Sequence, residues 1–229
     1  MYNCKTNLFN NTKMIENKHT IFSLSTPLGQ SAIAVIRISG IKSLEIAKLL
    51  TKKKKISPRK VYYSSIYSKN QQIIDNCIIL YFKSPRSFTG EDMLEIHPHG
   101  SIAIVNKILD ELNGISGCRF SQPGEFSKRS YLNKKNSLIH FEGLSNLIAS
   151  ETESQRIIAS KQTFGQSQNI CNTWRKIIMK SLSLLDASID FSEEDEDFEN
   201  ILILDELNNI IEQSEKLIKV SYNLKKIDN

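Results

Sequence analysis

Long apolar runs are missing from this chain of 229 residues. No stretch approaches the eighteen or so apolar residues that a membrane-spanning helix needs. The N-terminus carries neither the apolar core of a signal peptide nor an arginine-rich transit pattern. A cytoplasmic protein without a membrane partner is the expectation. Cysteine is sparse: Cys4, Cys77, Cys118 and Cys171 stand far apart with no CxxC pair. That spacing argues against a disulfide framework or a zinc knuckle. Also missing are a GxxxxGKS/T phosphate loop, a GxSxG elbow, an HExxH pair and a GxGxxG turn after a strand. The 229 residues therefore hold no complete nucleotide triphosphatase machinery, and no catalytic residue is assigned. Charge of one sign does not dominate either. Thirty Lys and Arg against 25 Asp and Glu leave +5, mildly basic and compatible with touching an RNA.

What is present divides the chain into three. Residues 1–18 are rich in Asn and Lys without periodicity and read as a disordered tail, with Met14 an alternative start. Residues 19–135 mix strand and helix patterns over a span normal for one domain. Strands are predicted at Thr20–Ser25, Ala32–Ser39, Val61–Tyr67, Ile73–Phe82 and, briefly, Leu94–Ile96. Helices are predicted at Leu44–Leu50 and Ser101–Leu112. Residues 136–229 lose the strand signal. Leu138, Phe141, Leu144, Leu147 and Ile148 form a helical stripe, and Ser150–Glu153 has capping-box spacing. A proline-free stripe from Ile157 to Ile189 allows one helix of more than about thirty residues. Ser192–Asp197 reads as an acidic loop and Leu204–Leu224 as a third helix. Three helices make a thin bundle, so a second subunit or a further segment is expected to cover their apolar faces. The fold class is thus α+β followed by an incomplete all-α domain.

Two polar clusters carry the candidate chemistry, 87–100 and 119–135. Arg37 interrupts an apolar strand. Either it faces water on an edge strand, or it lies opposite an anion or carboxylate. Glu95 follows Met93 and Leu94. A carboxylate in an apolar cleft suits two parallel donors, such as the edge of a pterin or guanine. The alternative pairs Glu95 with a surface lysine while Glu91 and Asp92 cap the turn. His97 and His99 flank Pro98, which disturbs the alternation a metal pair would need, and no metal ligand is assigned. Pro123–Phe126 precedes a short helix whose first amides could receive an anion. Arg129 and Asn133 share a face of that helix, with Lys135 just beyond. They belong either to a pocket wall or to a solvated basic helix. Lys52–Lys55 with Arg59, Lys60 and the Tyr62-Tyr63 pair is the best RNA-facing patch, although lysine runs are usually solvated loops.

Taken together, Thr26-Pro27, Ile36–Gly40, Ser87–Glu95, His99-Gly100, Pro123–Arg129, Tyr131–Lys135 and Leu185–Phe191 resemble the N-terminal part of the tRNA modification GTPase MnmE (TrmE) family. The resemblance runs from about Thr20 to the C-terminus. It implies a first domain similar to the folate-binding fold of aminomethyltransferases, which binds 5-formyltetrahydrofolate and forms a homodimer. It also implies a helical domain that in the family is split by a GTP-binding domain. An MnmG-like partner and tRNA are the implied partners, in modification of the wobble uridine. Family folate contacts carry over to Arg37, Glu95 and Lys135. GTP, Mg and K, ligands of the full-length family, are not expected to bind these 229 residues, which read as a truncated form. Departures from the pattern are the turn Pro27–Ala32, less glycine-rich than in the family, Gly100-Ser101 in place of a double glycine, and Asn136-Ser137 after the Asn-x-Lys motif. Two other readings stay open: a stand-alone folate-dependent aminomethyltransferase-like or repair protein, and a dimerisation module without ligand.

Overall fold

A computed structural model describes residues 19–190 and 196–227. The expected tail at 1–18 and most of the expected acidic loop, residues 191–195, lie outside the described residues. The chain divides into two compact units, Met1–Ser137 and Leu138–Asn229.

The first unit runs β1 (Thr20–Leu24), β2 (Ile36–Ser39), α1 (Ser43–Thr51), β3 (Val61–Tyr67), β4 (Ile73–Phe82), β5 (Met93–His97), α2 (Ile102–Asn113), β6 (Cys118–Phe120) and α3 (Glu125–Leu132). Six strands form one sheet in the order β3-β4-β5-β2-β1-β6. Every pairing is antiparallel except β1 with β6. Alternation along the strands sorts side chains to two faces. Ile36, Ile38, Ile79, Tyr81, Leu94 and Ile96 point to one face and form the core with Ile46 and Leu50 of α1 and Val105, Ile108 and Leu112 of α2. Residues directly opposite in an antiparallel ladder share a face. The row Val61, Leu80, Glu95, Arg37 therefore lies on the other face, with Tyr63, Ile78 and His97 beside it.

Beyond one-residue shifts at element ends, two features of the first unit differ from expectation. The second strand is Ile36–Ser39 rather than Ala32–Ser39, because the ladder to β5 stops at Pro98, which has no N–H to donate. Ala34 still donates to the Pro98 carbonyl at 2.9 Å, and Ser31 and Gly100 exchange a bridge. The short β6 has too few residues for alternation to be legible and was not expected.

The second unit contains α4 (Leu138–Ile148), α5 (Glu153–Thr163), α6 (Gln166–Asp190) and α7 (Glu196–Ile227). The single long helix expected after the capping box is two helices. Gly165, at φ +102°, turns the chain between them in a conformation that an L side chain rarely adopts. The capping box sits two residues later than its Ser150–Glu153 spacing suggested: Thr152 caps α5 and Gln155 returns the bond. Glu196 and Asp197, expected in a loop, begin α7. Helices α4 and α5 approach closely where Gly143 faces Thr163; a Cβ there would lie 2.6 Å from the Thr163 nitrogen. His140 Nδ1 meets the Thr163 carbonyl at 2.9 Å, at the C-terminal end of α5. Trp174 Nε1 donates to Gln213 Oε1 at 3.1 Å and ties α6 to α7. Among the described residues, no helix is long and apolar enough to cross a membrane.

Candidate functional site

Arg37 does not lie on an edge. Strand β2 pairs on both sides, and Arg37 stands directly opposite Glu95 of β5. A charge within an interior strand needs a partner, and the register supplies one: Arg37 Nε donates to Glu95 Oε1 at 2.9 Å. The partner of Glu95 is thus this arginine rather than a surface lysine. His97, two residues on and on the same face, brings Nε2 to 3.3 Å from the other oxygen, Oε2. The Glu95 side chain is only 16% exposed, that of Arg37 40%. The hydrogen bond from His97 and the charge of Arg37 hold the Glu95 carboxyl below its usual range, against the opposing effect of burial. Each carboxylate oxygen has a second lone pair, and the guanidinium has four N–H donors besides Nε. The pair can therefore present acceptor and donor side by side to one ligand. The Phe88 ring lies 5.9 Å from the Arg37 guanidinium carbon and adds an apolar wall.

Phe88 belongs to the loop before β5, whose next two residues reach the rest of the cluster. Thr89, fully buried, shares a 2.7 Å hydrogen bond with Ser39 Oγ, on the same face of β2 as Arg37. Its carbonyl accepts from Asn133 Nδ2 at 2.7 Å. Gly90 follows at φ +79°, and a Cβ on it would lie 3.0 Å from Lys135 Cγ and 3.1 Å from Asn133 Cβ. The stem of Lys135 therefore rests on the Gly90 backbone, its main chain held by a bond from Lys135 N to Ser130 O of 2.9 Å. Three consecutive residues, Phe88, Thr89 and Gly90, thus touch Arg37, Ser39 and Lys135 in turn.

Beneath this loop is a polar hub that sequence reading missed. Arg129 is neither on a pocket wall nor on a solvated helix face. It is 2% exposed, with Nη1 donating to Glu91 Oε2 at 2.9 Å and Nη2 to Glu125 Oε1 at 3.1 Å and to the His19 carbonyl at 3.0 Å. Ser39 Oγ donates to the same Glu91 oxygen at 2.8 Å. The expected anion site at the start of α3 is taken by the chain itself. Arg119 grips the Glu125 carboxylate with both Nη groups at 2.8 and 2.6 Å, and the Gln122 amide donates to it at 2.9 Å. The hydrogen bonds from Arg119 foremost bring the Glu125 pKa down to about 2. The only signal for this hub in the sequence is the i, i+4 spacing of Glu125 and Arg129.

Asp92 does hold its turn, as one reading had it: it accepts from the Ser84 amide and from the Tyr81 hydroxyl, both at 2.8 Å. The two histidines part company, His97 towards Glu95 and His99 to Asp75 at 2.9 Å. Among the described residues no group of His, Cys, Asp or Glu is arranged to hold a metal ion.

Two family models match the chain: the GTP-binding protein TrmE N-terminus over residues 20–135 and the MnmE helical domain over residues 138–229. The tRNA modification GTPase MnmE of Rickettsia akari (strain Hartford) is 46% identical over 177 residues, which cover 77% of this chain and 40% of that protein. Those of Rickettsia bellii (strain OSU 85-389) and Rickettsia conorii are 45% and 46% identical over the same length and shares. The matched segment thus spans well under half of these relatives. The boundary between the two models coincides with the boundary between the two units at Ser137 and Leu138. With both models matched in order, the chain belongs to the MnmE/TrmE family of tRNA modification proteins, of which it carries the N-terminal domain and the helical region.

Proposed function

We propose that this chain binds a reduced one-carbon folate, 5-formyltetrahydrofolate being the reference ligand, and serves the modification of wobble uridine in tRNA. The observation that carries the reading is the cross-strand Arg37–Glu95 pair, half-buried on the open face of the sheet beside Phe88. In this reading Glu95 accepts from the parallel donors of the pterin edge, while Arg37 orients that carboxylate and offers its remaining N–H groups. Lys135, exposed and anchored over Gly90, supplies a cation for the acidic portion of the ligand. A carboxylate already fixed by Arg37 and His97 loses little freedom on binding, which favours affinity.

The same face supports a homodimer. Next to Glu95 and His97 it exposes Val61, Tyr63 and Ile78 towards the β3 edge, an apolar strip that a second copy would cover. An MnmG-like protein and tRNA are the further partners that the family reading proposes.

Titration calorimetry with 5-formyltetrahydrofolate tests the reading. Wild type should give a saturable heat. Glu95→Ala removes a charged acceptor worth roughly 2–3 kcal/mol and should weaken binding by about 30- to 150-fold. Unchanged affinity in Glu95→Ala would remove the proposed pterin contact.

A further inference from the structure

Charge is distributed very unevenly along this chain. Between Ile46 and Ile74 stand Lys48, Lys52 to Lys55, Arg59, Lys60 and Lys69, without a single Asp or Glu. The chain as a whole carries only +5, so everything outside that stretch is net acidic. The fold gathers these cations around the C-terminal end of α1 and the β3 edge.

Their setting is ordered rather than loose. Ile56 is buried in the core, the Ser57 amide donates to the Tyr62 hydroxyl at 2.8 Å, and the Arg59 amide donates to the Tyr81 carbonyl at 2.8 Å. Lys53 and Lys60 bring their ammoniums to 5.8 and 5.7 Å from the Tyr62 ring, and Lys52 sits 3.6 Å from the Tyr67 ring centre. Behind them a cavity of about 430 Å³ is lined by Lys48, Lys52, Tyr67, Lys69 and Glu111, among others. The one acid there is already neutralised: Lys107 Nζ lies 2.9 Å from Glu111 Oε1, and the Lys69 amide donates to Oε2 at 3.0 Å.

We propose that this lysine–tyrosine ridge is an RNA-docking surface, taking the phosphates of a stem–loop along Lys53 to Lys60 and one nucleotide unit in the Lys48–Lys52–Lys69 cavity. The inference rests on the tRNA-modification reading and adds the place of contact, which is separate from Arg37, Glu95 and Lys135. Cations interleaved with aromatic rings suit single-stranded nucleic acid, where phosphates meet ammoniums and bases meet π-faces. A cavity of this size falls in the range that holds a small ligand, and its cationic wall selects a phosphate ester. Concavity favours a strand that enters a groove over a flat anionic bilayer.

Fluorescence anisotropy with a labelled RNA hairpin bearing an unpaired uridine loop tests the proposal on the full 229-residue chain. The Lys53→Gln/Lys54→Gln/Lys55→Gln variant removes three ammonium contacts, each worth about 0.7 in the slope of log K against log salt for a single strand. Binding at about 0.1 M salt should fall by about 100-fold and the slope by about 2. A control variant, Lys176→Gln/Lys180→Gln/Lys216→Gln in the helical unit, should bind as wild type does. Lys52→Gln/Lys69→Gln should weaken hairpin binding and leave folate binding unchanged. Equal losses in the control would reduce the effect to bulk charge and overturn the site. So would a triple variant that binds RNA like wild type, or a ridge that binds phosphatidylserine vesicles and not RNA. Calorimetry with 5-formyltetrahydrofolate on the same variants should be unchanged, which separates failure of this surface from failure of the folate reading.

Discussion

Replacing Arg129 by Met should cost the first unit about 3 kcal/mol, although no ligand contact is assigned to it. The side chain is 2% exposed and bonds two carboxylates and a carbonyl. Breaking a buried pair by removing one partner costs roughly 3–5 kcal/mol, since the other charge is left behind without compensation. Here the two acids fare differently. Glu125 keeps its paired contact with Arg119 and the Gln122 amide, so it stays compensated. Glu91, 17% exposed, loses its ion pair with Arg129 and keeps the Ser39 hydroxyl among its contacts. The methionine recovers part of the loss through apolar burial, which places the net near the lower end of that range. Urea unfolding followed by near-ultraviolet circular dichroism of the tyrosines measures it. Adding Glu91→Gln should return about 1–2 kcal/mol, because a neutral amide can still accept from Ser39 and no longer needs a cation. A single variant that costs less than about 1 kcal/mol, or a double variant no more stable than the single, would refute the account of a buried carboxylate that depends on Arg129.

Three other outcomes follow from the same geometry. Gly90→Ala forces an L side chain to φ +79° against Asn133, which its bond to Thr89 holds in place; about 1 kcal/mol of stability should go, with folate affinity falling alongside it, as unfolding and calorimetry would report. Gly143→Ala places a Cβ 2.6 Å from the Thr163 nitrogen, so α5 must retreat. Overpacking of this kind costs roughly 1–3 kcal/mol, and fluorescence of the sole tryptophan, Trp174, should report a lower melting point of the helical unit. The Glu125 carboxyl, held at about 2 chiefly by Arg119, titrates lower folded than unfolded. Its contribution is therefore complete above about pH 4.3 and is lost as pH falls from there towards 2. Arg119→Ala should lower stability at neutral pH and flatten this acid dependence; an unchanged slope of stability against pH in the variant would count against it.

If the folate reading holds, folate affinity and stability should fall together in Arg129→Met and Gly90→Ala for one reason. Residues 88–90 form one face of the cluster around Arg37 and Lys135 while residue 91 is anchored in the hub. Glu95→Ala is the contrasting case: Arg37, 40% exposed, can turn its charge to water, so the loss should appear in binding more than in folding.

Alternation and helical stripes were enough to place β3, β4, α1 and α2, because those patterns depend on which face of each element meets the core. The motifs taken in order carried the resemblance to the family, and that resemblance in turn pointed to Arg37, Glu95 and Lys135 as the expected folate contacts. Pairing was another matter. The sequence showed a charge in an apolar strand, and only the order β3-β4-β5-β2-β1-β6 put that strand in the interior with Glu95 opposite Arg37. Likewise Arg129 read as one more cation on a short basic helix. Its burial depends on Glu91, 38 positions earlier, and on the His19 carbonyl, 110 positions earlier, contacts that no local pattern encodes. The break at Gly165 and the choice of Thr152 as cap were settled between near-equal local options by which geometry the helices could pack in. Local chemistry, in short, decided what each segment of this protein could become. Long-range register decided which charges meet, since an ion pair between strands exists only once the sheet has been assembled around it.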